Sequence, residues 1–170
     1  MKKLLSKTLA FVLVSLFALI FNSCEKTNKL LEGKTWSEYI SFYDPPEAEN
    51  YPFISQYDPG YFDSYSGRVT IEFTTKEEAD VSVKFTVREY YYKYISESYG
   101  WMKSDDGQYE EIYKGVATYT CEGNDVSLRV KWKNPEAYDF DDGKWTGTVD
   151  NLHQMTLKNV FGKTVIFEGW

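Results

Sequence analysis

Carboxylates are the side chains of this sequence whose spacing could form a site. The segment Asp139-Phe140-Asp141-Asp142-Gly143 places several of them on a turn, an arrangement that hard cations such as Ca²⁺ bind. It lacks the spacing and the final glutamate of an EF-hand, so a solvated acidic turn is the favoured interpretation. Glu110 and Glu111 could act as the paired acids of a glycoside hydrolase. Neighbouring residues of a strand point to opposite faces, however, and we reject this pair.

Nucleophiles and bases are scarce in the sequence. His153 is the single histidine, and Cys24 and Cys121 are the only two cysteines, which excludes the familiar zinc-ligand patterns and argues against a histidine-based triad. The sequence contains no nucleophile elbow, phosphate loop or dinucleotide-binding fingerprint. A net charge of -7 argues against nucleic-acid binding, which needs lysine and arginine to displace counterions from phosphates. We therefore expect a protein that is not an enzyme and has no cofactor, metal ion or nucleic-acid partner.

An aromatic run is the other group that could bind a ligand. It consists of Tyr90-Tyr91-Tyr92 with Tyr94, Tyr99 and Trp101. Exposed rings of this kind stack on the faces of sugars or hold an apolar ligand. The alternative is cross-strand pairing of aromatic side chains within a sheet, which we favour.

The first 23 residues have the composition of a secretory signal peptide. A basic start is followed by an apolar run from Leu9 to Phe21 that only Ser15 interrupts. This run is shorter than the about 20 apolar residues that cross a bilayer. The sequence Phe21-Asn22-Ser23-Cys24 then resembles a relaxed lipobox, the signal peptidase II site of bacterial lipoproteins. The alternative is an ordinary signal peptide with an incidental cysteine.

The lipobox resemblance implies that Cys24 is the site of lipid attachment. Two or more acyl chains anchor a protein stably, because each buried methylene contributes about 0.8 kcal/mol. The chain then divides into a signal peptide (1–23), a lipidated cysteine with its tether (24–34) and a β-barrel domain (35–170). We expect the protein in the cell envelope, anchored in the outer membrane, and we interpret Cys121 as a buried small apolar residue.

The remainder of the chain alternates apolar and polar residues with a period of two. This pattern is typical of half-buried antiparallel strands and is clearest at Val69–Phe73, Val81–Val87 and Val126–Trp132. With weaker runs included it predicts eight strands, at Thr35–Tyr43, Arg68–Thr74, Asp80–Ile95, Gln108–Thr120, Asp125–Lys133, Lys144–Val149, Gln154–Lys158 and Lys163–Glu168. Short turns between them favour an all-β, eight-stranded antiparallel up-and-down barrel. A two-sheet β-sandwich is the alternative.

The predicted connections give this barrel two different ends. Asp44–Gly67, Ser96–Gly107 and Asn134–Gly143 are long and lie at one end, the mouth, whereas the other end has short turns and receives the N-terminal tether. The first long connection holds most of the prolines and many aromatic residues, which predicts a lid over the mouth, with a structural plug as the alternative. Lys103 is the only basic residue in these three connections. Their acidic residues, which should repel anionic ligands, are Asp44, Glu47, Glu49, Asp58, Asp63, Glu97, Asp105, Asp106, Glu136, Asp139, Asp141 and Asp142.

Both ends of the barrel region resemble lipocalins. Gly33-Lys34-Thr35-Trp36 looks like the Gly-x-Trp motif that opens the first lipocalin strand. Trp145–Gly147 and Asn159–Phe167 are similar to small lipocalin-like lipoproteins of Bacteroidetes-type bacteria. The resemblance implies a barrel and a cell-envelope location. It implies no ligand, because the function of that group is mostly unassigned.

These features predict a lipid-anchored binding protein whose mouth and aromatic lid capture a neutral, apolar or glycan-like small ligand. The candidate ligand contacts are Trp36, Phe73, Phe85, Trp132, Tyr57, Tyr61, Phe62 and Trp101. Four of these lie on predicted strands, and we call them the wall candidates: Trp36, Phe73, Phe85 and Trp132. They could equally fill a packed core together with Val69, Ile71, Val83 and Leu128, because eight-stranded barrels can be solid. The alternative function is a structural or interaction lipoprotein that contacts another envelope protein through its acidic, aromatic-rich end.

Overall fold

The protein folds as a single antiparallel sheet. The computed structural model describes residues 31–44, 60–96, 100–150 and 153–168, and for 92–96 and 100–104 it describes the backbone alone. The strands are β1 (Thr35–Asp44), β2 (Tyr61–Phe73), β3 (Glu78–Ser96), β4 (Gly100–Glu122), β5 (Asp125–Trp132), β6 (Lys144–Asp150), β7 (Gln154–Val160) and β8 (Lys163–Glu168). A short 3₁₀ helix, Pro135–Asp139, lies between β5 and β6.

The strand order confirms the predicted up-and-down topology. All eight strands are hydrogen-bonded to their neighbours in sequence order, from β1 to β8. β8 also lies beside β1, so the sheet curves into a nearly closed barrel. Such an arrangement is consistent with a lipocalin-like barrel and does not fit the two-sheet sandwich. Closure protects the outer strands, whose unpaired backbone groups would otherwise be open to aggregation.

Apolar side chains at alternate positions fill the interior. In β5, Val126, Leu128, Val130 and Trp132 are buried, and the residues between them are at least partly exposed. The largest fully buried side chains come from five different strands: Trp36, Trp145, Phe73, Phe85 and Phe167. Each large apolar side chain that is fully buried contributes about 1.5–3 kcal/mol. The period of two in the sequence therefore determines which face of each strand forms the core.

One side of the barrel is taller than the other. β4 pairs with β5 only from Gly115 to Glu122, whereas its pairing with β3 continues to Gly100. β2 likewise begins at Tyr61, with Asp63 opposite Asp44 of β1. The upper parts of β1, β2, β3 and β4 therefore rise above β5–β8 on one side of the mouth. We call this extension the tall wall.

The tall wall corrects two predictions. Tyr61, Phe62 and Tyr65 belong to β2 and not to a lid, so the predicted start of that strand at Arg68 was wrong. The predicted connection Ser96–Gly107 was also wrong, because β4 begins at Gly100. Asp106-Gly107 was interpreted as part of a turn, because an Asp-Gly pair is a strong turn signal. In the structure Glu89 pairs with Gly107 and Tyr90 with Asp105, so Asp106 is an extra residue that forms a β-bulge within the long hairpin.

The chain enters β1 at the end with short turns. Leu31 is fully buried, and the backbone N–H of Gly33 donates to the carbonyl of Phe73 at 2.7 Å. The N–H of Phe73 donates in return to the carbonyl of Lys34 at 2.9 Å. The last residues of the predicted tether thus pack against the barrel at the end opposite the mouth. Cys24 lies outside the described residues.

Tyr119 closes the barrel at this same end. Its hydroxyl donates to the carbonyl of Thr75 at 2.9 Å, and its ring meets that of Phe73 edge-on with centroids 4.8 Å apart. Burial, followed by the nearby charge of Glu32, raises the pKa of Tyr119 to about 12. The phenol therefore holds the β2–β3 turn against the core and keeps its proton well above the ordinary tyrosine range.

Tyr119→Phe should weaken the fold and change its alkaline behaviour. Below pH 10 the phenol is protonated in both states, and the variant should lose about 0.5–1.5 kcal/mol for the missing hydrogen bond. Because the folded pKa is raised, wild-type stability should fall as pH rises from 10 to about 12. Urea unfolding over this range should show a shallower fall for Tyr119→Phe. Parallel curves would contradict the assignment, and exposed Tyr39→Phe is the control at pH 7.

Candidate binding site at the barrel mouth

An aromatic cluster fills the upper interior of the barrel. Phe161 is its centre, with ring centroids 5.2 Å from Phe85, 5.8 Å from Phe42 and 5.8 Å from Trp132. Phe42 also stacks on Tyr65 at 4.7 Å. The whole cluster, which we call the aromatic floor, consists of Phe42, Tyr65, Phe85, Tyr113, Trp132, Phe140 and Phe161. Aromatic pairs in these geometries contribute about 0.5–1.5 kcal/mol beyond their burial.

The predicted wall candidates lie within this packed interior. Phe85 and Trp132 belong to the aromatic floor, while Trp36 and Phe73 lie lower in the barrel, and all four are at most 5% exposed. The structure thus brings them into one core, as the packed-core alternative requires, and their contact with a ligand stays a prediction. The indole N–H groups of Trp36 and Trp132 have no hydrogen-bond acceptor within the described part of the chain.

The structure describes the side chains of two of the four candidates that were predicted near the mouth, Tyr61 and Phe62, and these two point to opposite faces of β2. The ring of Tyr61 is 69% exposed and packs on Tyr91 with their centroids 4.4 Å apart. This is the cross-strand pairing that we favoured for the aromatic run beginning at Tyr90. Phe62, the next residue, points to the outer face, where it is buried and packs on Tyr90 at 5.2 Å. Tyr57 and the side chain of Trp101 lie outside the residues that the structure describes.

Carboxylates line the inner face of the tall wall above the aromatic floor. Asp63 is opposite Asp44 on β1 and Glu89 on β3, and Glu111 follows on β4 opposite Phe85. Partial burial, and then the charges of Glu89, Asp44 and Glu111, raise the pKa of Asp63. We call these four residues the acidic wall. Asp44 and Asp63 were predicted at the mouth. Glu111 was considered only as a partner of Glu110, and Glu89 was not considered, because its position on a predicted strand suggested no role.

Phenols connect the acidic wall to the aromatic floor. The hydroxyl of Tyr113 donates to Oε2 of Glu111, and burial followed by this hydrogen bond raises the pKa of Tyr113. Burial also raises the pKa of Tyr65, with Glu111 adding to the effect. Glu110, on the opposite face of β4, pairs with Lys84 at 2.7 Å. The two neighbouring glutamates therefore do point to opposite faces, as the rejection of a paired-acid site assumed.

Asp141 is the buried anchor of the mouth, and the prediction of a solvated turn was wrong for this residue. Its carboxylate is 3% exposed and accepts three N–H groups. Oδ1 accepts from Gly143 at 2.5 Å, while Oδ2 accepts from Nε1 of Trp145 at 2.8 Å and from the backbone of Phe161 at 2.7 Å. Burial raises the pKa of Asp141, and the three donors oppose that rise.

The exposed neighbours of Asp141 behave as a solvated turn would. Asp142 accepts from the backbone of Lys144 at 2.9 Å and pairs with its ammonium at 3.2 Å. These contacts lower the pKa of Asp142. Asp139 is exposed at the end of the 3₁₀ helix. Within the described ranges, no group of acidic, histidine or cysteine side chains is arranged to hold a metal ion.

A cavity of about 310 Å³ opens beside this anchor. It lies where the end of β1 faces the β7–β8 turn, and it has an aromatic base and a charged rim. We call it the seam pocket, and its lining consists of Phe42, Tyr43, Asp44, Asp139, Phe140, Phe161, Gly162 and Lys163. Its volume is at the lower end of the range for small-molecule sites. Phe42, Phe140 and Phe161 were not predicted as site residues, because only the closed barrel brings β1 beside the β7–β8 turn.

Comparison with known proteins adds no identity to this geometry. No protein-family model matches the chain, and neither the curated proteins nor the solved structures contain a significant match. In the part of the chain that the structure describes, no helix is long and apolar enough to cross a membrane.

Asp141→Asn should destabilise the protein strongly. The amide keeps the shape of the side chain but replaces one acceptor oxygen by an N–H₂ group, which cannot accept from the buried donors. Leaving a buried donor unsatisfied costs about 1–3 kcal/mol, and more when the lost partner is charged. Urea unfolding at pH 7 should therefore show a loss of about 3 kcal/mol for Asp141→Asn and a much smaller loss for Asp142→Asn. Equal losses would argue against the anchoring role.

Proposed function

We propose that this protein is a lipid-anchored binding protein of the cell envelope that captures a small, overall neutral ligand at its barrel mouth. The observation that carries the proposal is the seam pocket, which combines an aromatic base with exposed charged groups. We also propose that the protein belongs to the group of lipocalin-like lipoproteins that its sequence resembles. No catalytic step is assigned to the site.

The aromatic base supports an apolar or ring-shaped ligand face. Phe42 and Phe140 are only partly buried and pack against the core, with their ring centroids 5.7 Å apart. Rigid rings of this kind offer large contact areas at little cost in conformational entropy, because the surrounding core already fixes their rotamers. A sugar face or an apolar group would thus find preformed partners at the mouth.

The acidic wall supports selection against anions. Asp44, Asp63, Glu89 and Glu111 lie on one face of the tall wall, and their mutual repulsion contributes to the raised pKa of Asp63. A concave surface of one sign concentrates ligands of the opposite sign and repels those of the same sign. Neutral or cationic molecules would therefore reach the seam pocket more readily than phosphates or fatty acids.

The point at which the chain enters the barrel supports a mouth that faces away from the membrane. Leu31, Gly33 and Lys34 are attached to the barrel at the end with short turns. Cys24 precedes this attachment point by only a few residues of the chain. An acylated Cys24 would hold that end towards the bilayer, and the seam pocket would open on the opposite side.

A second candidate is an interaction role, and the edge of β4 favours it. Within the described residues, β4 above Lys114 pairs with a strand only on its β3 side. Ile112 is half-exposed on its outer face. An edge of this kind can accept a strand from a partner protein. Stoichiometric capture of another envelope protein from solubilised membranes would distinguish this role from ligand capture.

Cys24→Ser should abolish lipid attachment. In cells fed labelled palmitate, the wild-type protein should carry the label and fractionate with membranes, because two or more acyl chains give stable anchoring. The variant should carry no label and lose its membrane association. Cys121→Ser is the matched control, since Cys121 is buried at the end of β4 and should not affect labelling. Labelling of the Cys24→Ser variant would contradict the proposal.

Phe140→Ala should weaken ligand binding at the mouth. We expect at least one neutral compound from a panel of glycans, apolar alcohols and zwitterions to raise the melting temperature of the protein. Removal of a ring from the pocket base should weaken that binding about tenfold, the equivalent of 1.4 kcal/mol. Ile166→Ala, an exposed position on β8, should leave it unchanged. A ligand whose affinity is the same for both variants does not bind in the seam pocket.

A further inference from the structure

We propose that the seam pocket binds a small zwitterion with an apolar or aromatic side group, of the amino-acid or short-peptide class. The ammonium group would lie at Asp44 and Asp139, the carboxylate at Lys163, and the side group on the aromatic base. This inference rests on the proposed function and makes it specific, because a zwitterion is neutral overall and still carries two charges.

The rim of the seam pocket carries both signs of charge. Asp44, Asp139 and Lys163 all line the cavity and are all exposed. In the described part of the chain, Lys163 forms no ion pair with either carboxylate. Charge-assisted hydrogen bonds from both ends of a zwitterion would therefore add to the site without breaking an existing ion pair.

The β7–β8 turn sets the position of Lys163 relative to the aromatic base. Phe161 and Gly162 both have positive φ, 48° and 71°, as a two-residue type I′ hairpin turn requires. Val160 then pairs with Lys163, so β8 begins directly at the pocket rim. The turn thus directs the Phe161 ring into the floor and places Lys163 in the lining of the cavity.

The size of the cavity fits this class of ligand. A volume of about 310 Å³ equals that of roughly ten liquid water molecules at about 30 Å³ each. A free amino acid with a large side chain has about this many heavy atoms. Phe42, Phe140 and Phe161 provide the apolar surface for such a side chain, with Phe42 central to the three rings at 5.7 and 5.8 Å.

Ligands with one charge or none would pair with fewer of the charged groups on the rim. A cation would meet the Lys163 ammonium, and an anion would meet Asp44, Asp139 and the acidic wall. A neutral molecule such as an alcohol could hydrogen-bond to one charged group of the rim, but it would bring no charge of its own to pair with either sign. Two opposite charges on one small ligand are therefore the feature that the rim can recognise.

A matched series of probes tests this inference on the full chain, purified in detergent from the membranes of cells that express it. The probes are phenylalanine, phenethylamine, 3-phenylpropionate and 2-phenylethanol, which share a ring and differ in charge. Calorimetric titration at pH 7 should give phenylalanine an affinity at least about tenfold above each of the other three, because one charge-assisted hydrogen bond is worth this factor or more.

Rim variants complete the test. Lys163→Met should reduce phenylalanine binding about tenfold without weakening that of phenethylamine, and Asp139→Asn should reduce the binding of both. Lys131→Met, on the outer face of β5, is the control and should bind as the wild type does. Equal or tighter binding of 2-phenylethanol would overturn the zwitterion inference but leave capture at the mouth intact.

Two further outcomes separate the inference from the proposed function. If a panel compound binds in a manner sensitive to Phe140→Ala while the phenylalanine series does not bind, the zwitterion inference fails and the proposed function stands. If neither the panel nor the phenylalanine series binds, both fail. Phenylalanine binding that Lys163→Met leaves unchanged also overturns the inference, because the carboxylate would then lie elsewhere.

Discussion

The buried carboxylate of Asp141 is the interaction on which the mouth of this barrel depends. It accepts N–H groups from the loop before β6, from the Trp145 indole and from the β7–β8 turn. Phe161 has a positive φ, which is costly for a residue with a side chain. The hydrogen bond from its backbone to Asp141 helps to hold that conformation, and the Phe161 ring then forms the centre of the aromatic floor. The floor and the seam pocket both follow from this one carboxylate.

Unequal strand lengths turn this floor into an asymmetric site. β3 and β4 continue far beyond β5–β8, so the acidic wall rises on one side, while the seam pocket opens where the end of β1 meets the shorter strands. The interior below is occupied by Trp36, Phe73 and other core side chains. The packed core and the proposed binding site therefore lie at different levels of the same barrel. The packed interior fixes the shape, and the mouth above it carries the accessible charges and rings.

The barrel could be predicted from the sequence because the strands in its lower half alternate regularly between apolar and polar residues. At Val81–Val87 every second residue is apolar and inward, so the alternation reports the fold directly. The upper halves of β2 and β4 break this rule, because Asp63 and Glu111 occupy inward positions that face the mouth instead of a core. Asp141 was misjudged for a different reason. Its donor at Phe161 lies 20 residues away, and no local pattern announces that contact.

The same anchor also explains why the charges of the seam pocket are held apart. A buried carboxylate is expensive to desolvate, and the three N–H groups that Asp141 accepts offset this cost. The same hydrogen bonds also have a geometric consequence. Asp139 lies two residues before the anchor and Lys163 two residues after its partner Phe161. One hydrogen bond thus fixes two segments whose exposed ends carry opposite charges across an aromatic base. A site preorganised in this way loses little entropy when it binds a ligand, which is the advantage that an apolar replacement at position 141 would forfeit.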